Sequence, residues 1–503
     1  MEHLLPALDL VLNLNVGLAI LVGTAFGIVM GALPGLGTVL AITIALPFTF
    51  SMAPAPSIAL VLAIYCSSVY GGSISAILIN TPGTPQSAAT VLDGYPMALR
   101  GDADKALGWA TIASLIGGLF STAVLVMAAP RLAQFALSFG PIETFALIAL
   151  ALTCIAGVSR GSMINGLLAG ILGLFLATVG TDTMTGFVRF DFGVFDLAAG
   201  IELVPLLIGL FALTEVFARL TMPQDQTGDL EKRIGFSVAP LKEWLLRWKT
   251  LVKSCVIGTL VGILPGTGAS TAAFISYSEA KRSGRYRDKL GTGEPEGLVA
   301  SEASNNAVTG GALVPTLALG IPGDPSTAVM MSALIIQGIQ PGVRLFADNP
   351  ELMYGSFIVL AACNIVMAVM GAAAAPALTR ILRMPEPVLL PLVLVLSIVG
   401  AYGVRGNPFD LLTALVAGIV GFFLRLCGVP MAPIVIGMVL GPTFEENLRQ
   451  GLILTDGSFL AFFSGHPIAV VLLGVTFVVV VLALVGEARR RGEASATTAP
   501  IAG

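Results

Sequence analysis

Gly31-Ala-Leu-Pro34-Gly35-Leu-Gly37 recurs 231 residues later as Gly262-Ile-Leu-Pro265-Gly266-Thr-Gly268. Downstream, Thr81-Pro82-Gly83-Thr84-Pro85 recurs 240 residues later as Ile321-Pro322-Gly323-Asp324-Pro325, in the same order. Two motifs in series, each pair a span apart, mark an internal duplication. Pro removes a backbone donor and Gly permits sharp turns, so helices stop at these points. The apolar blocks 18–50 and 254–280 are each divided by Pro-Gly into arms of about 11–13 residues. Such an arm reaches about 20 Å into an apolar layer about 30 Å thick. Each block therefore reads as a re-entrant hairpin that enters and leaves on one face.

The layer itself follows from composition. Only 11% of the 503 residues are charged and 56% are hydrophobic, with a mean hydropathy of +0.92. A soluble domain carries about 25% charge, so soluble folds are excluded. A transmembrane barrel is excluded too, because barrel strands alternate polar and apolar, whereas 471–485 is apolar throughout. The expected fold is an all-α polytopic membrane protein of about 11 transmembrane helices plus two re-entrant hairpins. The five cysteines are scattered without a C-x-x-C and read as small apolar residues; the two histidines lie far apart. No removable signal peptide is expected at the N-terminus. The net charge of −4 gives no reason to expect nucleic acid as a partner.

Basic residues favour the cytoplasmic side. Lys242–Lys253 precede the second broken block and Lys281–Lys289 follow it, so both its ends are expected inside. The first has no Lys or Arg near either end and is expected to open outside. Threading the remaining blocks places 21 of the 26 basic residues inside, leaving Arg131, Arg189, Arg344, Arg405 and Arg449 outside. Five crossings separate the hairpins, so the repeat is inverted. The organisation expected is an N-terminal transport repeat (1–219), a cytoplasmic loop (220–253), an inverted C-terminal repeat (254–486) and a disordered cytoplasmic tail (487–503). Within the loop, 240–253 reads either as an amphipathic surface helix or as an extension of the next helix. The block 429–441 is short for a crossing.

Inverted repeats with helices broken at matching positions point to the binding site of a secondary transporter. Broken backbone is tolerated in a membrane only where it is buried or lines a cavity. Freed N–H groups at a helix start attract anions, and freed carbonyls can hold a cation. The candidate substrate-binding residues are Gly35, Gly37, Thr38, Asn80, Thr81, Gly83, Gly266, Gly268, Ser270, Thr271, Asn305, Asn306 and Gly323. The candidate coupling-ion positions are the carbonyls at Pro34, Pro82, Pro265 and Pro322, with Glu302 and Asp324. Glycines also serve tight helix packing, and hydroxyls back-bond to their own helix; an intramembrane carboxylate is a functional candidate by default. Asp182, Asp191, Asp196 and Glu202 read as loop residues. The tips are expected to carry no formal charge, to meet at mid-membrane and to clasp an anion with N–H groups and hydroxyls.

These motifs resemble the large membrane subunit of the bacterial tripartite tricarboxylate transporters. The resemblance rests on Gly31–Gly37, the run Tyr70–Gly83 (YGGSISAILINTPG), Asp93-Gly94-Tyr95-Pro96, Gly262–Gly268, Glu302-Ala-Ser-Asn-Asn306 and Pro315–Gly323 (PTLALGIPG). Gly338-Ile-Gln-Pro-Gly-Val343 matches more loosely, a second Pro being usual where Val343 stands. The resemblance implies a translocating subunit in the bacterial inner membrane, a small four-span membrane partner and a periplasmic solute-binding protein. It also implies a carboxylate substrate, taken up with Na⁺ or H⁺, and no cofactor. Rival readings are a passive anion channel, an intramembrane enzyme, a proton-pumping respiratory subunit and an ATP-driven pump. No G-x-x-x-x-G-K-[ST] supports the last. The spans carry neither a hydrolase triad nor the several mid-span charges of a proton pump.

Overall fold

The computed structural model describes residues 4–158, 162–221, 235–266, 268–382, 386–458, 462 and 464–497. Residues 222–234 of the expected loop, 267 in the second tip, Arg160, Arg383 and 498–503 lie outside them. The helices in chain order are α1 (Leu4–Val11), α2 (Leu14–Ala32), α3 (Gly37–Thr49), α4 (Pro54–Ile79), α5 (Val91–Leu99), α6 (Ala103–Ala136), α7 (Pro141–Val158) and α8 (Met163–Ala177). A two-residue-stranded hairpin follows, β1 (Gly180–Thr181) with β2 (Val188–Arg189). Then come α9 (Leu203–Leu207), which runs through a π-turn into α10 (Thr214–Thr221), α11 (Leu241–Ile263), α12 (Gly268–Ser283), α13 (Pro295–Leu319), α14 (Pro325–Ile336) and α15 (Val343–Asp348). The chain closes with α16 (Pro350–Ile381), α17 (Glu386–Gly403), α18 (Pro408–Leu426), α19 (Met431–Leu454) and α20 (Pro467–Thr497).

Six described helices are long and apolar enough to cross a membrane: α2, α4, α6, the 203–221 helix, α16 and α18. Shorter apolar stretches lie in α3, α7, α8, α14, α17 and α20. Helix α13 has 25 residues but is polar; its Glu, Asn and Ser side chains are buried inside protein rather than turned to lipid. The all-α membrane architecture is thus as expected.

Several lengths differ from expectation. The first arms of the broken pairs, α2 and α11, have 19 and 23 residues, and the second arms 13 and 16. Helix α2 starts early because the Asn13 side chain caps it, accepting from the Asn15 N–H. Helix α11 starts early because 241–253 is its first half, not a separate surface helix. Trp244 stacks on Trp109 of α6 at 4.1 Å, and the Arg247 guanidinium lies over the Trp109 ring while pairing with Glu294. The block 429–441 is part of the 24-residue α19, about 36 Å long. Helix α20 continues through Thr497, so 487–497 is helical where disorder was expected.

The chain forms two compact units, and neither matches a repeat. One is Met1–Leu137 with Val204–Phe422; the other is Ser138–Leu203 with Phe423–Gly503. In the second, a Cβ on Gly437 would meet the backbone of Gly170 and Gly173, so α19 and α8 lie backbone to backbone. Its hairpin is tied down by Arg189–Glu445 (2.6 Å) and Asp182–Arg449 (2.7 Å). Hydrogen bonds from Thr185 and Arg449 hold the Asp182 carboxyl below the usual carboxylate range.

In the first unit the duplication is visible residue by residue. Gly27 packs on Ile64 and Ser67, and its counterpart Gly258 packs on Ser304 and Ala307. Gly31 meets Ser68, and Gly262 meets Val308; Gly71 meets Ile28 and Gly31, and Gly311 meets Thr259 and Gly262. Every partner is displaced by 231 residues in the first arm and 240 in the following helix, the offsets of the motifs. The equivalent helices α4 and α13 run antiparallel, since Ser73 reaches Glu302 while Cys66 meets Asn306. The repeat is therefore inverted, and Cys66 and Asn306, themselves 240 apart, mark the crossing. The halves also interlock. Gly117 of α6 lies on Ala303 of α13, and Gly371 of α16 lies on Tyr70 of α4.

The described ion pairs group along the chain as their basic partners were threaded. Lys105–Asp102, Arg247–Glu294, Lys253–Glu279 and Arg282–Glu279 join residues assigned inside. Arg189–Glu445, Arg449–Asp182, Arg405–Asp410 and His466–Glu143 join residues assigned outside.

Candidate functional site

The two tips share a backbone. Gly35 and Gly266 both have φ +84°, and Gly37 and Gly268 have +66° and +70°. These are left-handed values that other residues adopt at a cost. A Cβ on Gly37 or Gly268 would meet nothing within 4 Å, so the start of each second arm faces open space. Thr38 follows, buried, its hydroxyl without a hydrogen-bond partner among the described residues; Ser270 and Thr271 are half-buried.

What supports the tips differs. In the second half, the Gly266 N–H donates to the Gly323 carbonyl at 2.8 Å, so tip and break are one piece. In the first half, the Pro34 carbonyl accepts from the guanidinium of buried Arg219, which pairs with Glu215 at 2.8 Å. Two expectations are corrected here. The first tip is not without charge, because an ion pair on α10 folds against it. The Pro34 carbonyl is a poor cation ligand, being already bonded to a cation. The signal was the i, i+4 spacing of Glu215 and Arg219, which alone reads as a surface pair.

Nor do the tips meet. The first tip follows Gly31, packed on Ser68 and Gly71; the second follows Gly262, packed on Val308 and Gly311. With α4 and α13 antiparallel, the tips lie on opposite sides of the Cys66–Asn306 crossing, each about one to two turns away. The single turn-to-turn clasp expected at mid-membrane is therefore replaced by two separate tips.

The breaks fold back onto their helices. Asn80 and Gly320, 240 apart, end α4 and α13 in left-handed conformation, at φ 57° and 70°. The Gly83 N–H then bonds the Gly72 carbonyl at 3.2 Å, and the Gly323 N–H bonds the Thr316 hydroxyl at 3.2 Å. Gly83, Thr84 and Ser87 are thereby buried, but Asn80 and Thr81 are exposed and Thr81 back-bonds to Ile79. These two are an ordinary helix end rather than part of a buried site. Pro82 is half-buried and Pro322 buried beside them; Pro265 is half-buried at the second tip.

The two carboxylates separate by chemistry. Asp324 is the N-cap of α14: it accepts from the Thr327 N–H at 2.7 Å, and Thr327 returns a bond to the Asp324 N–H at 2.9 Å. Its other oxygen accepts from Tyr65 at 2.7 Å. Both oxygens are committed to holding the break. Glu302 is fully buried and accepts only from side-chain hydroxyls: Ser73 on α4 (2.7 Å), Ser114 on α6 (3.0 Å) and Thr90 just past the first break. Among the described residues it has no ion-pair partner. Its node is built by both halves.

Next to it on α13, buried Asn305 has neither amide oxygen nor nitrogen bonded among the described residues, nor have the side-chain oxygens of Asn306 and Asn364 a partner there. The amide nitrogens of Asn306 and Asn364 both point to Cys66, the crossing residue. Unbonded buried polar atoms are rare, and a cluster of them makes this stretch of α13 a candidate place for a polar ligand or water.

Comparisons with known proteins show the family. Residues 18–436 match the Tripartite tricarboxylate transporter TctA family. The chain belongs to the TctA family. An uncharacterized 52.8 kDa protein of the TAR-I ttuC' 3'region of Agrobacterium vitis is 36% identical over 495 residues, covering 96% of this chain and 98% of that relative. An uncharacterized protein of the TAR-II ttuC' 3'region of the same organism is 35% identical over 234 residues, covering 46% of this chain and 96% of that relative. No solved structure matches. As a TctA-family protein, the chain is a multi-pass large subunit of a tripartite tricarboxylate transporter.

Of the candidates, Glu302, Asn305, Asn306, Gly83 and Thr38 are buried, and the tip glycines form the two turns. Thr90, Ser114, Tyr65, Asn364 and Arg219 contact these candidates or their neighbours and were not singled out from sequence. Tyr65 could have been, since it stands 240 residues before Asn305. A lone Ser or Thr in an apolar helix, such as Ser114 on α6, gives no such signal.

Proposed function

We propose that this TctA-family chain is the translocating subunit of a binding-protein-dependent secondary importer of a di- or tricarboxylate, driven by Na⁺ or H⁺. It works in the bacterial inner membrane beside a small four-span subunit and receives substrate from a periplasmic binding protein. The observation that carries this reading is Glu302. A carboxylate buried without a cation is costly unless it is protonated or holds a metal ion. Three hydroxyls and two carboxylate oxygens suit either a proton or Na⁺. Because Ser73, Thr90 and Ser114 come from different elements, loading Glu302 changes how those elements are held together. Substrate carboxylates are bound by N–H groups of the tips facing open space at Gly37 and Gly268, with the amides of Asn305, Asn306 and Asn364 along the path. Access alternates as the first half-site and then the second opens.

The test is reconstitution of the complete three-component system in proteoliposomes, with labelled citrate and a panel of dicarboxylates. Accumulation above equilibrium under an imposed Na⁺ or proton gradient is expected. Downhill flux that neither gradient alters would instead favour the passive channel.

A further inference from the structure

The arms of each hairpin diverge and leave a lateral cleft, about 730 Å³ between α11 and α12 and about 680 Å³ beside α2 and α3. Both volumes are in the range of sites that enclose a small amphiphile. They are one feature duplicated. Val22, Phe26, Ile44 and Phe48 of the first cleft stand 231 residues before Lys253, Ile257, Ile275 and Glu279 of the second. The difference is at the mouth, where Lys253 replaces an apolar Val22, Glu279 replaces Phe48, and Arg282 is added. Lys253 and Arg282 flank Glu279 at 3.0 and 2.8 Å, leaving one net positive charge; both cations remain half or more exposed. The walls below are apolar and open: Val252, Val256, Phe274 and Ile275 are each 39–46% exposed. Trp248, also exposed, stands about one turn above on α11, where an amphipathic ring suits the headgroup level.

We propose that the α11–α12 cleft binds one anionic phospholipid of the cytoplasmic leaflet. Its phosphate sits at Lys253 and Arg282, and an acyl chain runs down between Val256 and Ile275. Charge complementarity selects this occupant: basic pockets between helices on the cytoplasmic side bind anionic headgroups. The α2–α3 cleft, with Asn15 and Ser51 at its mouth and no cation, takes acyl chains without headgroup preference. The inference does not depend on what the protein transports.

The test is native mass spectrometry of the full-length protein in micelles with equimolar phosphatidylglycerol and phosphatidylcholine. One net charge predicts about a fivefold preference for phosphatidylglycerol. The K253Q/R282Q double variant should bind both lipids equally. V22K, which places a cation in the first cleft, should add a second phosphatidylglycerol adduct, and it reports even if the double variant does not fold. Equal binding by the unaltered protein, a preference that survives in K253Q/R282Q, or full displacement by inorganic phosphate would overturn the proposal. So would loss of the lipid on adding the small membrane subunit, which would make the cleft that subunit's seat.

Discussion

The two broken-helix regions share one backbone plan and differ in chemistry. At the first, a buried ion pair, Glu215–Arg219, holds the tip, and the segment beyond the break sends Thr90 to Glu302. At the second, backbone holds the tip through Gly266 and Gly323, and Asp324 is consumed as a helix cap. Duplication supplied the geometry twice. The side chains then diverged: both carboxylates stand in the second half, Glu302 held by hydroxyls and Asp324 as a helix cap, where the first half has Leu62 and Thr84. Polarity alone does not distinguish Glu302 from Asp324; the donors around each do. Backbone N–H and cap bonds mark structure, whereas hydroxyls from separate elements mark a site able to change its load.

The comparison can be broken most severely at the first tip. Arg219→Met removes the guanidinium from buried Glu215 and from the Pro34 carbonyl and should cost about 3–5 kcal/mol, read as a fall in detergent melting temperature or loss of folded protein. Glu215→Met/Arg219→Met should recover much of it; equal damage from both would mean that the Pro34 bond, not the ion pair, matters. Next come the breaks. Gly83→Ala would drive a methyl into the Gly31 carbonyl, and Gly323→Ala one to within 2.6 Å of Ala312. Each should destabilise by about 1–3 kcal/mol, and if only one does, the breaks are not equivalent. Asp324→Asn should cost about 1–2 kcal/mol through the weakened cap while the folded fraction still accumulates substrate. Loss of accumulation with unchanged stability would give Asp324 the role assigned to Glu302. The smallest effect is expected from Ser114→Ala, about 1 kcal/mol for one hydrogen bond. It should shift the cation dependence of uptake without abolishing it, and an unshifted dependence would remove Ser114 from the node.

Much of the frame was legible in the sequence. Eleven per cent charge gave the membrane, and paired motifs at offsets 231 and 240 gave the repeat whose glycines now pack at those offsets. Sorting Lys and Arg gave the expected sides, which the packing does not test. Helix lengths were less legible, because Trp244 looks like an interfacial residue until Trp109 is beside it. The site was half legible. Glu302, Asn305 and Asn306 stood out as polar residues in an apolar chain. Ser114 and Thr90 reach Glu302 across 188 and 212 residues, and nothing local in either segment announces that. The separation of the tips was hidden too, since it follows from where α4 crosses α13.

In the proposed mechanism Glu302 takes the driving cation. The direct test places Glu302→Gln beside the unaltered protein in proteoliposomes, measuring substrate exchange without a gradient and accumulation with one. Gln keeps the shape and can still accept hydroxyl hydrogen bonds, but it neither protonates nor offers a charge to Na⁺. Exchange that persists while gradient-driven accumulation disappears is the predicted result. Accumulation equal to that of the unaltered protein would contradict it.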